Sequence, residues 1–210
     1  MRDNLLNRRV FSSSLLLSSL APGVALAQAA AATLGQNAPD FSALDTAGKP
    51  HRLADFKGKL VVLEWTNPGC PFVRKHYSGN MQSLQKEFTA KGVVWLAINS
   101  TETHSADYLQ PNKMAAWLSE KQASPSATLM DESGKIGQLY GAKTTPHMYI
   151  ISPQGTLIYA GAIDSIASAR TDDIKTATNY VRQGLSETLS GKAISVASSR
   201  AYGCSVKYKT

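Results

Sequence analysis

The residues best suited to covalent chemistry in this sequence are its two cysteines, Cys70 and Cys204. Cys70 follows an apolar, strand-like run and directly precedes Pro71, a residue favoured in the first turn of a helix. A sulfur in that position lies at a helix N-terminus, where free N–H groups and the helix dipole favour the thiolate. Three basic residues that add positive charge follow within two turns, and they are Arg74, Lys75 and His76. These features predict a reactive cysteine, and the alternative is a small buried apolar residue, as free cysteine often is.

An acidic residue, Glu64, interrupts the apolar run that precedes Cys70. Burial of a carboxyl raises its pKa toward neutral pH, which suits general acid or base catalysis on a thiol. Glu64 is therefore a candidate for proton transfer to and from a cysteine. The alternative is a carboxylate that lies on a partly solvated face or pairs with a lysine.

Metal binding is a rival chemistry, because cysteine and histidine are ligands for soft and borderline metal ions. The candidate ligands are Cys70, His76, His147 and Cys204. Cys70 and His76 would not share a helical face, since neighbours on a helix lie three or four residues apart. A metal carrier stays open as an alternative, but we assign no metal and no other cofactor to the chain.

The composition is that of a globular domain, with 43% hydrophobic and 18% charged residues in a chain of 210. The formal net charge is +7. No run of lysine and arginine interleaved with aromatic residues accompanies this charge after the first 27 residues, so we predict no nucleic-acid partner.

The first 27 residues have the pattern of a secretory signal. Arg8 and Arg9 precede a serine- and leucine-rich apolar stretch, which ends in the small residues Ala25-Leu26-Ala27. The segment NRRVF at positions 7–11 also resembles a twin-arginine signal. We predict export to the periplasm by that route, cleavage after Ala27, and no stable membrane insertion afterwards. A membrane anchor is the alternative, although five serines and a Pro-Gly pair interrupt the stretch.

Behind the signal peptide (1–27) we predict a flexible lead-in (28–34) and one domain (35–210). Apolar runs predict strands at 60–63, 93–98, 127–130, 148–151 and 156–160, after a small hairpin over 41–53. Apolar residues at three-to-four-residue spacing predict a helix over 72–88 with a kink at Gly79-Asn80. Further helices are predicted at 114–118 and at 172–190, the second with Thr171 as N-cap and its end at Gly191. This order of elements indicates an α/β fold.

Several segments resemble the redoxins, the alkyl hydroperoxide reductase C and thiol-specific antioxidant superfamily. They are GQNAPDF at 35–41, LADFKGKLVVL at 53–63 and Cys70-Pro71. Thr145-Pro146, before a strand, is similar to the family's cis-proline loop. The resemblance implies a thioredoxin-like fold, a central mixed β-sheet flanked by helices with an N-terminal β-hairpin. It also implies that Thr145 and Pro146 face the active cysteine and offer backbone groups to a bound thiol or disulfide.

The active-site motif departs from both well-known forms of this fold. Thioredoxin-like enzymes have Cys-x-x-Cys, and the second cysteine is replaced here by Val73. Peroxiredoxins have threonine at the first position and cysteine at the second. The chain most resembles a peroxiredoxin-like branch that keeps the first cysteine alone. In thioredoxins a buried carboxylate at the place matching Glu64 exchanges protons with the cysteine pair.

Within this resemblance, Cys204 is the candidate for the missing resolving cysteine. It lies in an apolar-alternating tail, 201–208, that would pack back on the domain as an edge segment. A redox pair, a structural bridge and two unpaired thiols all stay open, because a disulfide needs Cα atoms within about 7 Å.

We predict an exported thiol-disulfide oxidoreductase with an antioxidant or redox role, Cys70 as nucleophile and protein or small-molecule thiols and disulfides as partners. A thiol-dependent peroxide reductase, a copper or other metal carrier, and a silent partner-binding domain are the alternatives. The oligomeric state is not predicted.

Overall fold

A seven-stranded mixed sheet forms the centre of the computed structural model, which describes residues 31–209. The described strands are β1 (Ser42–Asp45), β2 (Pro50–Arg52), β3 (Val61–Trp65), β4 (Val94–Asn99), β5 (Ala127–Met130), β6 (Thr144–Thr145), β7 (His147–Ile151), β8 (Leu157–Gly161) and β9 (Cys204–Ser205). The described α-helices are α1 (Pro71–His76), α2 (Asn80–Thr89), α3 (Pro111–Glu120), α4 (Lys135–Tyr140) and α5 (Tyr180–Leu189). Two 3₁₀ helices cover Leu53–Phe56 and Thr171–Lys175.

The strand order in the large sheet is β2-β1-β5-β4-β3-β7-β8. β3, β4 and β5 run parallel, whereas β7 is antiparallel to β3 and β8 to β7. β3 and β4 are buried along their whole length, which explains why they appear in the sequence as continuous apolar runs. The opening hairpin is confirmed as β1 and β2.

Apolar side chains cover both faces of this sheet. One core contains Val62, Trp95 and Met148 together with the apolar faces of α2 and α5. The other core contains Val61, Leu96 and Tyr149, whose side chains point to the opposite face because successive residues of a strand alternate. The carboxyl end of β3, where Cys70 follows, is therefore held on a rigid two-sided core.

The predicted kink in the helix after Cys70 is confirmed as a complete break between α1 and α2. Gly79 has a φ of 130°, a conformation that favours glycine, and α2 begins directly after it.

The predicted helix over 172–190 is wrong in its first half. Residues 171–175 form a 3₁₀ helix, and α5 begins only at Tyr180. The N-cap of α5 is Asn179, whose side-chain oxygen accepts a hydrogen bond from the backbone N–H of Arg182 at 2.8 Å, and not Thr171. The predicted end near Gly191 is correct, with Gly191 at a φ of 73°. The sequence analysis also missed α4.

The predicted signal peptide lies outside the described residues, as does the start of the lead-in. Of the lead-in, Ala32 donates a backbone hydrogen bond to the carbonyl of Leu139 at 2.9 Å. Within residues 31–209 no helix combines the length and the apolar character needed to span a membrane.

Candidate active site

Cys70 is the N-cap residue of α1, as the sequence predicts, and its side chain is buried with 2% exposure. The thiol Sγ donates a hydrogen bond to the backbone carbonyl of Thr145 at 3.0 Å. The Thr145-Pro146 peptide bond is cis, in agreement with the predicted cis-proline loop. The loop before β7 and the start of α1 therefore meet at the Cys70 sulfur.

The C-terminal tail brings Cys204 to the same place. β9 pairs antiparallel with β6, and Thr145 lies opposite Cys204 in this two-stranded sheet. Gly203 makes the close approach possible, because a Cβ atom there would collide with the carbonyl of Thr145, and its φ of 131° favours glycine. The tail thus packs back as an edge segment, as predicted, and covers Cys70.

Both cysteines are free thiols, and each shifts the pKa of the other. Burial raises the pKa of Cys70, but hydrogen bonds to its thiolate outweigh burial, and the pKa lies below its ordinary value. The donors are the Cys204 and Thr145 side chains and the backbone N–H groups of Val73 and Cys204. The buried Thr145 hydroxyl has no hydrogen-bond partner among the described residues, so it is available to a thiolate at Cys70.

The pKa of Cys204 moves in the opposite direction. Burial and the neighbouring Cys70 raise it to about 11. Of the two thiols, Cys70 is therefore the one that loses its proton first as pH rises.

The basic residues of α1 act differently from the sequence prediction. Arg74 donates through Nε to the carbonyl of Pro68 at 2.7 Å, and the Lys75 ammonium lies against the carboxylate of Asp164. Burial lowers the pKa of His76 to about 4, so that its ring is neutral. Hydrogen bonds, and not these charges, are the leading contributions that lower the pKa of Cys70.

Glu64 is completely buried in β3, and burial raises its pKa. Its carboxyl group accepts hydrogen bonds from Tyr77 at 2.8 Å, from Gln85 at 3.2 Å and from Trp95 at 2.7 Å. No cation lies among these partners. In the part of the chain that the structure describes, no hydrogen bond joins Glu64 to either cysteine.

The candidate metal ligands are only partly brought together. Within residues 31–209 no three His, Cys, Asp or Glu side chains form a group that would hold a metal ion. His147 lies near the hydroxyl of Tyr149, 3.2 Å from its Nδ1, and burial lowers its pKa to about 4.

Two contributors to the site were missed by the sequence analysis. The close approach at Gly203 and the Tyr202 side chain both act through tertiary contacts. Of these, Gly203 alone had a sequence signal, a glycine directly before a cysteine.

Comparison with known proteins supports this assignment of the fold. The model of the AhpC/TSA family matches residues 34–160, which is more than half of the chain. The chain belongs to the AhpC/TSA family. The match includes Cys70, Glu64 and the cis-proline loop, and it ends before the tail that carries Cys204. The predicted redoxin family and its thioredoxin-like fold are confirmed.

Relatives of this AhpC/TSA family member include named thiol-redox proteins. It is 30% identical over 123 residues to the thioredoxin-like protein YneN of Bacillus subtilis (strain 168), covering 59% of this chain and 68% of the relative. It is 31% identical over 127 residues to the thiol-disulfide oxidoreductase ResA of Bacillus cereus (strain ATCC 10987 / NRS 248). This match covers 60% of this chain and 67% of the relative. These names agree with the predicted enzyme class, a thiol oxidoreductase.

A solved structure is similar in fold to this AhpC/TSA family member over most of its length. A hypothetical protein from Sinorhizobium meliloti 1021 superimposes with a TM-score of 0.75 and 24% identity, covering 87% of this chain and 98% of its own. At that identity the likeness shows the fold alone.

Proposed function

We propose that this protein is an exported thiol-disulfide oxidoreductase in which Cys70 is the nucleophile and Cys204 the resolving cysteine. The observation that carries the proposal is that the Cys70 sulfur is hydrogen-bonded to the carbonyl of Thr145, the residue that lies opposite Cys204, so that the tail brings the second cysteine to the first. In agreement with this placement, Cys204 lowers the pKa of Cys70, and Cys70 raises that of Cys204. A thiolate is the attacking species in disulfide exchange, and the structure stabilises it on Cys70.

The proposed reaction has two exchange steps. The Cys70 thiolate attacks one sulfur of a substrate disulfide, the S–S bond breaks, and the first substrate sulfur leaves as a thiolate that takes up a proton. Cys204 then loses its proton and attacks the Cys70 sulfur of the mixed disulfide, which releases the second substrate thiolate. The substrate disulfide gains two electrons, and the protein dithiol becomes a Cys70–Cys204 disulfide. The reverse sequence oxidises a substrate dithiol.

Thr145 and Pro146 are the proposed substrate-facing elements. The tail occupies the β6 edge in the reduced protein, since Cys204 lies opposite Thr145. Cys70 has 2% exposure, so the tail must move before a substrate reaches this sulfur. Proton transfer by Glu64 stays a prediction, because its described partners include neither cysteine.

Export is the part of the proposal that rests on the sequence alone. The signal pattern of residues 1–27 and the twin-arginine-like segment favour the periplasm. We propose that the mature chain is a single redoxin domain, with partner thiols and disulfides met in an oxidising compartment.

A thiol-dependent peroxide reductase is the second candidate, favoured by the same stabilised thiolate at Cys70. Peroxide would oxidise Cys70 to a sulfenic acid, and Cys204 would condense with it to the disulfide and water. The two functions are separated by whether hydrogen peroxide oxidises Cys70 faster than an ordinary thiol. No described contact favours the metal carrier over these two.

The deciding experiment equilibrates the mature protein in glutathione buffers and counts alkylated thiols by intact mass. We expect a Cys70–Cys204 disulfide with a midpoint between about −120 and −270 mV, the range of exchange catalysts. The Cys70→Ser variant should lose exchange with a model disulfide, and Cys204→Ser should accumulate a mixed disulfide on Cys70. A bridge that persists below roughly −300 mV would make the pair structural, and two thiols that stay free in every buffer would overturn the proposal.

A further inference from the structure

A cluster of polar side chains lies beside the two cysteines and takes no part in the steps above. Lys75 of α1 is buried, and its Nζ lies 3.3 Å from Oδ2 of Asp164 and 3.2 Å from the carbonyl of Ile166. Asp164, after β8, is equally buried. Two charges removed from water cost free energy unless all of their polar atoms find partners.

Tyr202 supplies a further partner of this ion pair, beside the backbone N–H of Ile166, which donates to Oδ1 of Asp164 at 3.1 Å. The Tyr202 hydroxyl also donates to Oδ1 of Asp164, the oxygen that does not face Lys75. Its ring packs edge-on against Phe72 at a centroid distance of 5.8 Å, and the Lys75 ammonium lies 5.6 Å from the ring centroid. Tyr202 is therefore anchored by one residue after β8 and two residues of α1.

His76 fixes the direction of the hydrogen bonds at Tyr202. The side-chain amide of Asn80 lies 2.8 Å from His76 Nδ1 and donates to it, so the ring proton of the neutral imidazole is on Nε2. This Nε2 lies 3.1 Å from the Tyr202 oxygen and donates to it, which leaves the tyrosine proton for Asp164. His76 and Tyr202 thus each accept one hydrogen bond and donate the next one, and a phenylalanine at position 202 would interrupt this chain of hydrogen bonds.

The cluster connects the segments that carry the two cysteines. Phe72, Lys75 and His76 belong to the helix that begins directly after Cys70. Tyr202 lies two residues before Cys204, with Gly203 between them placed against Thr145. We infer that Tyr202 is a positioning residue that holds Cys204 beside Cys70 and so sets the effective concentration of one thiol at the other.

This inference rests on the proposed function, because it concerns the same pair of cysteines. If the reduced tail detached, Asp164 would lose a hydrogen-bond donor in a buried position, which is unfavourable for a charged group. The hydrogen bond between Tyr202 and Asp164 therefore also favours the Cys70–Cys204 disulfide. It orders the tail in the reduced protein, so that forming the S–S bond costs less conformational entropy.

The test is the equilibrium constant of the Cys70–Cys204 disulfide in glutathione buffers, measured for the wild type and for Tyr202→Phe. We expect the constant to fall about tenfold in the variant, the size of effect that loss of a hydrogen bond to a charged group produces. The matched control is Tyr140→Phe, which removes a buried hydroxyl that donates to the Pro39 carbonyl at 2.7 Å and makes no described hydrogen bond to the tail. Its constant should match that of the wild type.

A second readout is the pKa of Cys70, followed by the ultraviolet absorbance of its thiolate. The Cys204 side chain lowers this pKa, so Tyr202→Phe should raise it, whereas a merely structural loss of stability would not. Phe72→Leu, which removes the ring packed on Tyr202, should lower the equilibrium constant and raise the pKa of Cys70 in the same way. This variant replaces Tyr202→Phe if the Tyr202→Phe protein does not fold.

The outcomes separate this inference from the proposed function. Equal constants and equal Cys70 pKa values in Tyr202→Phe, Tyr140→Phe and the wild type would overturn the positioning role alone. A wild type that forms no Cys70–Cys204 disulfide in any buffer would overturn the proposed function and the positioning role together.

Discussion

The sulfur of Cys70 donates a hydrogen bond to the backbone carbonyl of Thr145, 3.0 Å away. The same threonine lies opposite Cys204 in the small two-stranded sheet, and its own hydroxyl points to no other partner among the described residues. Thr145 therefore accepts a hydrogen bond from the thiol form of Cys70 through its carbonyl, and its side chain lowers the pKa of that thiol. This residue joins the cis-proline loop, the nucleophile and the tail.

We expect Thr145→Val to raise the pKa of Cys70, because valine keeps the shape of threonine but removes a donor to the thiolate. Alkylation of Cys70 at neutral pH should slow about threefold, in proportion to the thiolate fraction. The measurement is the alkylation rate as a function of pH in the Cys204→Ser background. Thr128→Val, a substitution in the buried β5 strand, is the control. An unchanged pH profile in Thr145→Val would exclude the hydroxyl as a thiolate donor.

We expect Gly203→Ala to detach the tail, since the new Cβ would collide with the Thr145 carbonyl at a φ that alanine rarely adopts. Cys70 should then be alkylated faster, by about tenfold, because it loses its cover. Gly48→Ala is the matched control, with a φ of 79° and no atom within 4 Å of the added Cβ. Equal protection of Cys70 in the two variants would show that the tail does not cover the site through Gly203.

Glu64 should make the free energy of unfolding depend on pH. Burial raises its folded-state pKa above the ordinary value of 4.5, so the folded protein keeps a proton that the unfolded chain has lost. The free energy of unfolding should therefore decrease as pH rises from about 4.5 toward the raised pKa. Glu64→Gln should remove this decrease, as measured by urea unfolding across pH.

The same Glu64→Gln variant tests the predicted proton transfer. A role in the reaction would flatten the pH dependence of disulfide exchange, with KM for the disulfide unaffected in the same pH range. Exchange rates that match the wild type at every pH would leave Glu64 with a purely structural part.

The buried ion pair makes Lys75 a strong determinant of stability. Lys75→Met leaves the Asp164 carboxylate buried without its cation, and we expect a loss of about 3–5 kcal/mol in the free energy of unfolding. Lys91→Met is the matched control, since the Lys91–Glu87 pair is largely exposed and should contribute at most about 1 kcal/mol. Denaturant unfolding of both variants measures the two losses in free energy of unfolding. Similar losses would show that the buried pair contributes no more to stability than the exposed pair.

The sequence predicted most of the elements because their signals are local. β3 and β4 are buried on both faces and appear as continuous apolar runs, and the turn at Gly79 breaks the helix where glycine permits a positive φ. The helix over 172–190 failed because Asn179, a stronger cap in its context, begins α5 later, and no single-residue preference reveals which cap satisfies the free N–H groups.

The sequence by itself determined that Cys70 stands at the start of a helix, that Thr145-Pro146 forms a cis-proline loop of a redoxin, and that Glu64 interrupts an apolar strand. These features depend on neighbours in the chain or on motifs of the family. Only the tertiary structure decided that Cys204 reaches Cys70 across the sequence, that the basic residues of α1 are engaged elsewhere, and that Tyr202 joins the Lys75–Asp164 pair. Distance between residues remote in sequence is set by the packing of the whole chain, and both hydrogen bonds and pKa values depend on that distance.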